Sequence, residues 1–152
     1  MMVAGREMGH LFKGGCHCGN VQVTFATQQS PEEITVRACT SSFCTRHGAR
    51  TATDRKGQVH ILVRAPAELS RYQFGLKTAE FFICKHCGVY LAAVLTTEEG
   101  TSYATVNVNA LDAGQRFTQL PMDVNDEGED ARKRIARRKE NCTPAVIQIA
   151  NL

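Results

Sequence analysis

Two short cysteine signatures about 65 residues apart constrain this chain more than any other feature: Gly15-Cys16-His17-Cys18-Gly19 and Cys84-Lys85-His86-Cys87-Gly88. Cys84 and Cys87 have the Cys-x-x-Cys-Gly form of a zinc knuckle. A tight turn there aims both sulfurs at one metal, and the glycine that follows takes a backbone conformation that a side chain would hinder. Cys16 and Cys18 are two apart, so on an extended segment both side chains leave by one face. Four sulfurs meet the tetrahedral preference of zinc and leave no open position, which makes the expected site structural. The residues between the two signatures then form a closed loop.

The remaining cysteines have to be placed against the redox compartment. The chain of 152 residues carries seven cysteines, an odd number, and residues 1–10 hold Arg6 and Glu7 without an apolar run, so no signal peptide is expected. No stretch approaches the ~18 apolar residues of a membrane span. These features predict a cytoplasmic protein, where clustered cysteines bind metal more often than they form disulfides. The length suits one domain. A net charge of +3 does not argue for a nucleic-acid partner.

Period-two alternation dominates the body. Residues 1–13 have no clear period and read as a loose lead-in (1–12) to the domain. Val21, Val23 and Phe25 alternate with Gln22 and Thr24, as in a half-buried strand. Further strands are expected at residues 34–38, 59–63, 72–74, 79–83, 89–95 and 103–109. The second cysteine pair then sits at a hairpin tip, and Pro66 can open a helical turn. Residues 39–49 read as too small and polar for core. His60 is expected to face solvent, and Tyr72, Phe74, Phe81 and Phe82 are expected in the core more than in a pocket. Short strands at ten- to fifteen-residue intervals and no long amphipathic helix predict a mainly β domain.

The tail has a different composition. Asp123, Asp126, Glu127, Glu129 and Asp130 precede Arg132, Lys133, Arg134, Arg137, Arg138 and Lys139, an order that suits a short helix because both charge sets oppose its dipole. Residues 123–140 hold six acids and six bases, so the basic run reads as a solvated helix face rather than a nucleic-acid site. Cys142 reads as a bystander.

Five blocks in register carry a resemblance. They are Gly15–Gly19; Ala38-Cys39 through Cys44 to Gly48-Ala49; Tyr72-Gln73-Phe74-Gly75; Phe81 through Gly88; and Val106-Asn107-Val108-Asn109-Ala110-Leu111-Asp112. In order and spacing they resemble the glutathione-dependent formaldehyde-activating enzyme family, which also includes centromere protein V. The resemblance covers about residues 10–115. It implies a zinc-binding, Mss4-like β-sheet fold (a β-tent) over residues 13–115, with residues 116–152 as a C-terminal extension carrying the charged helix. It also implies a structural zinc on Cys16, Cys18, Cys84 and Cys87 and a second, catalytic zinc beside a glutathione pocket. The implied activity is that of a carbon–sulfur lyase promoting the condensation of glutathione with formaldehyde to S-hydroxymethylglutathione.

The second site departs from the family pattern of Cys-x-Cys-x-x-Cys. Cys39 and Cys44 match the outer positions, and Ser41 stands at the middle one. A neutral hydroxyl is a much poorer zinc ligand than a thiolate. Zinc could bind weakly there, His47 could act as third ligand, or the site could be empty in a non-catalytic zinc-binding module. Arg46, Arg50 and Lys77 are the cations nearest in sequence for the glutathione carboxylates. His17 and His86 are not expected as ligands. The sequence does not address oligomeric state.

Overall fold

The structure, a computed structural model, describes residues 2–124 and 129–150. Asp126 and Glu127 of the acidic run lie outside the described residues. The chain begins with a two-stranded ribbon, β1 (Met2–Val3) and β2 (Arg6–Glu7), followed by β3 (His10–Gly15), β4 (Val21–Thr27), β5 (Arg37–Cys39) and α1 (Ser42–His47). After these come β6 (Thr51–Ala52), β7 (Gln58–Val63), β8 (Leu69–Tyr72), β9 (Glu80–Cys84), β10 (Tyr90–Thr96) and β11 (Ser102–Asn107). The chain closes with β12 (Met122–Val124), α2 (Ala131–Asn141) and β13 (Thr143–Ile149). This is the expected mainly β architecture with a C-terminal helix.

Alternation decides which faces are buried. Val21, Val23 and Phe25 of β4 and Val59, Ile61 and Val63 of β7 are buried, and the two strands pair antiparallel with Phe25 opposite Val59. Each such side chain contributes about 1.5–3 kcal/mol relative to leaving it exposed. β10 has no alternation. Its residues Tyr90 through Leu95 are all buried, because it is covered on both faces and paired on both edges, by β9 and β11.

The sheet divides at β11. One edge of β11 pairs with β10, with Ala92 opposite Val106. The other edge is shared between two strands. Ser102, Tyr103 and Ala104 face Ala145, Pro144 and Thr143 of β13, while Val106 and Asn107 face Ala52 and Thr51 of β6. One arm therefore runs β13-β7-β4-β3, a second runs β6-β5-β12, and a third runs β10-β9-β8. The link from β7 to β8 crosses between two arms through a 3-10 turn, Pro66–Glu68, with Pro66 at its start as the sequence predicts.

Four sequence expectations need correction. The lead-in is strand from His10 onward, pairing along β4. The strand expected at 34–38 is confined to Arg37–Cys39, although Ile34 and Val36 are buried. β8 ends at Tyr72, so Gln73 and Phe74 lie beyond the strand rather than forming one. Residues 39–49 are not merely surface: α1 buries Cys44, and Ala49 packs behind it. Composition misled here because a six-residue helix needs only one buried position to dock.

The C-terminal segment holds the largest surprise. Besides α2 it carries β13, which pairs parallel with β7 (Ile147 opposite Ile61) and antiparallel with β11. A strand that directly follows a charged helix, with Val146 and Ile149 exposed, gives little periodicity to read. Ending the chain before Thr143 exposes backbone edges on both β7 and β11. The truncated protein is expected to lose cooperative urea unfolding and near-ultraviolet dichroism, whereas removal of residues 151–152 alone is expected to leave both intact.

Candidate functional site

Two hairpin turns bring the organising cysteines together. Cys16 and Cys18 occupy the turn from β3 to β4, and Cys84 and Cys87 the turn from β9 to β10. The turns are built alike. The N–H of Cys16 donates to Val21 O (2.9 Å) and that of Cys84 to Val89 O (3.0 Å), both spanning five residues. Gly19 and Gly88 donate back to Cys16 O (3.2 Å) and Cys84 O (2.8 Å), with φ of +85° and +82° that favour glycine. Lys85 N–H to Glu68 O (2.7 Å) and Arg64 N–H to Asn20 O (2.9 Å) tie both turns to the β7–β8 link.

All four ligand atoms lie within 4.8 Å of one another. Cys16 Sγ is 3.6 Å from Cys18 Sγ, and Cys18 Sγ is 3.5 Å from Cys84 Sγ. Zn–S bonds of about 2.3 Å set tetrahedral sulfurs about 3.8 Å apart, so the cluster fits a structural zinc with little movement. His17 and His86 are exposed and outside the cluster, as expected. Without a cation the four thiols share charge unevenly. Burial pushes Cys87 up, but the N–H groups of Val89 and Cys18 and the thiols of Cys84 and Cys16 outweigh it and bring its pKa down to about 6. The Asn20 N–H pulls Cys18 down, yet desolvation and the other three thiols push it up to about 12.

A second constellation lies under α1. Cys39, at the end of β5, and Cys44, in α1, line a cavity of about 70 Å³ together with Tyr90, Phe81, Thr51, Thr105, Cys142 and three arginines, Arg37, Arg137 and Arg138. The Cys39 side chain and burial push the Cys44 thiol above its ordinary range, while the Ser41 hydroxyl and the charge of Arg138 pull the other way. Burial likewise raises Tyr90 and keeps its hydroxyl protonated. Ser41 is the N-cap of α1, its Oγ accepting from Cys44 N–H at 3.2 Å. Among the described residues no third His, Cys, Asp or Glu completes a ligand set with Cys39 and Cys44. The His47 ring instead packs on Phe43 (4.6 Å between centroids) and Tyr90 (5.5 Å).

Phe43 is the hub of the wall beside the cavity, within 4.7–5.8 Å of the rings of Phe81, Tyr90, Phe74 and Tyr72. Of the four aromatic residues expected in the core, Phe82 is there, beneath Arg71 (5.2 Å), and Phe81 is buried at the cavity wall. Tyr72 is about half exposed. His60 pairs with Gln148 Oε1 at 2.8 Å on β13.

None of the cations expected for glutathione lines this cavity. Arg50 is a structural clamp, donating to Asn109 Oδ1 (2.8 Å), Phe117 O (2.6 Å) and Gly114 O (3.1 Å). Arg46 folds back on its own helix, Nη1 donating to Ser42 O at 3.0 Å. Lys77 is exposed in the turn after Phe74. Arg37, Arg137, Arg138 and Cys142 take the positions instead. The signal for Arg137 and Arg138 was the basic run of the tail, with nothing in the order of residues to indicate that β13 would return it to the sheet, and Arg37 and Cys142 carried none. The block from Val106 to Asp112 is also reassigned. Asn107 donates to Tyr90 O (3.0 Å) and Asn109 to Gly48 O (3.0 Å), so these side chains hold β10 and the end of α1 in place.

The fold and the four-sulfur centre define a mainly β protein with a four-cysteine cluster that fits a structural zinc and, apart from it, a thiol-lined cavity. The model of the glutathione-dependent formaldehyde-activating enzyme family matches residues 11–123, and the chain belongs to that family. The chain is also similar to a solved structure of a Rhodobacter sphaeroides protein, at 32% identity and a TM-score of 0.50, over 72% of this chain and 98% of the other. Among curated proteins none matches. No helix of the described residues is long and apolar enough to cross a membrane.

Cys84→Ser is expected to release the metal and lower stability by several kcal/mol, because metal binding is coupled to folding. Metal content and urea denaturation check this. Zinc affinity is expected to fall as pH drops, since thiols must lose protons to bind and Cys87 itself protonates near pH 6 in the metal-free state. Chelator competition between about pH 5 and 8 reads that dependence.

Proposed function

We propose that the chain is a carbon–sulfur lyase-type enzyme acting on a small thiol, glutathione, and formaldehyde or a similar small aldehyde, with its reaction in the cavity beside Cys39 and Cys44. The observation that carries this reading is the placement of those two family-pattern cysteines, from β5 and α1, on the wall of one cavity. Zinc at the four-cysteine centre holds the two hairpins and takes no part in the chemistry, because four sulfurs leave no open position.

A second zinc does not fit the cavity in its present form. Cys39 and Cys44 gain no third ligand in a metal-sized cluster among the described residues, Cys142 Sγ instead bonding Thr105 Oγ1 at 3.3 Å, and the Ser41 hydroxyl already accepts the Cys44 N–H. Three lining guanidiniums also disfavour a dication. The reaction is therefore assigned to the chain's own residues. The thiolate of the tripeptide attacks the carbonyl carbon, a C–S bond forms, and the carbonyl π pair moves to oxygen, which takes up a proton. Tyr90, kept protonated by burial, offers a hydroxyl for the developing oxyanion. The Phe43 and Phe81 rings limit water at the cavity.

A non-catalytic module is the second reading, favoured by one observation: Ser41 has become a helix cap where the family pattern has a ligand. Exchange spectroscopy on glutathione and formaldehyde separates the two. Enzyme at micromolar concentration is expected to accelerate exchange over the uncatalysed condensation, with about one zinc per chain by elemental analysis. An unchanged rate in fully zinc-loaded protein leaves only the module.

A further inference from the structure

The cavity carries more positive charge than its walls neutralise. Arg137 is paired: its Nε lies 3.0 Å from Glu129 Oε2 and its Nη2 3.1 Å from Oε1, with Arg134 Nε on the same carboxylate at 3.3 Å. Arg138, the next residue of α2, has no ion pair among the described residues, and its Nε is buried without a hydrogen-bond partner. Arg37, at the start of β5, also has no ion pair among the described residues. No Asp or Glu lines the cavity. Native structures seldom leave a buried donor unpaired, and a charged donor is costlier to strand than a neutral one.

Chemistry and size narrow the occupant. A guanidinium presents planar, paired N–H donors that match a carboxylate in bidentate fashion. The Thr51 and Thr105 hydroxyls add polar groups, and Phe81 and Ala93 give an apolar side. A volume of about 70 Å³ holds roughly a few waters, or a carboxylate with one or two carbons.

We propose that Arg138 and Arg37 form a carboxylate-binding subsite in this cavity, occupied by a small carboxylate or by the carboxylate end of a larger thiol substrate. Of the two cations, Arg37 lies within the family-matched residues 11–123, and Arg138 comes from α2, beyond them. α2 can reach the cavity because β13 returns the chain to the sheet beside β11. The same fixed guanidinium charge disfavours a second zinc beside Cys39 and Cys44. The identity of the larger ligand rests on the proposed thiol chemistry; the carboxylate subsite itself requires no turnover.

The test uses the zinc-loaded full chain in low-chloride buffer, with acetate and then glutathione as probes, followed through the backbone amides of Thr51 and Ala93 by NMR. Acetate is expected to shift both amides saturably in the wild type. Arg138→Gln and Arg37→Gln are each expected to weaken acetate and glutathione binding about tenfold or more. Arg138→Lys is expected to recover part of the loss, and Arg132→Gln, on the exposed face of α2, to change nothing. Arg37→Gln keeps the test valid should Arg138→Gln destabilise α2. Absence of saturable shifts in the wild type, or wild-type affinities in both glutamine variants, overturns the subsite. Acetate binding that depends on Arg138, without accelerated thiol–aldehyde exchange, sustains the subsite and removes the proposed activity; accelerated exchange without acetate binding does the reverse.

Discussion

Four sulfurs at two hairpin turns join two arms of the sheet whose described strands do not pair with one another except through β11. The β3–β4 turn ends one arm and the β9–β10 turn belongs to another, and among the described strands the two arms meet at β11. A metal held by both turns converts that open branching into a closed frame. The thiols repel multiple charge at 3.5–3.6 Å when no cation is present, so the frame and the metal are mutually dependent.

The frame is reinforced by polar clamps whose side chains could be mistaken for catalytic groups. Arg50 gathers Asn109, Gly114 and Phe117, and Asn107 holds Tyr90 from the neighbouring strand. These bonds satisfy backbone carbonyls where regular pairing fails, at the shared edge of β11 and in the 3-10 turns after it. They also fix the floor of the second cavity, since Tyr90 and the end of α1 are among the groups they hold.

The cavity shows how one substitution redistributes a site. With Ser41 capping α1 rather than offering a sulfur, Cys39 and Cys44 remain as a thiol pair, and the positive charge comes from arginines of β5 and α2. The aromatic wall centred on Phe43 packs against Phe81 and Tyr90, two of the residues that line the cavity.

The sequence by itself determined the metal clasp, the alternating strands β4 and β7, the hairpin that carries Cys84 and Cys87, and the place of Ser41, because ligand spacing and period-two burial are local properties of the chain. Tertiary structure alone decided which cations meet the cavity. Arg50 lies six residues from Cys44 yet serves the fold, while Arg138 lies far along the chain yet lines the same pocket. Proximity in sequence cannot rank such residues: the position of Arg138 depends on β13 pairing between β7 and β11, a non-local contact with almost no periodicity to announce it.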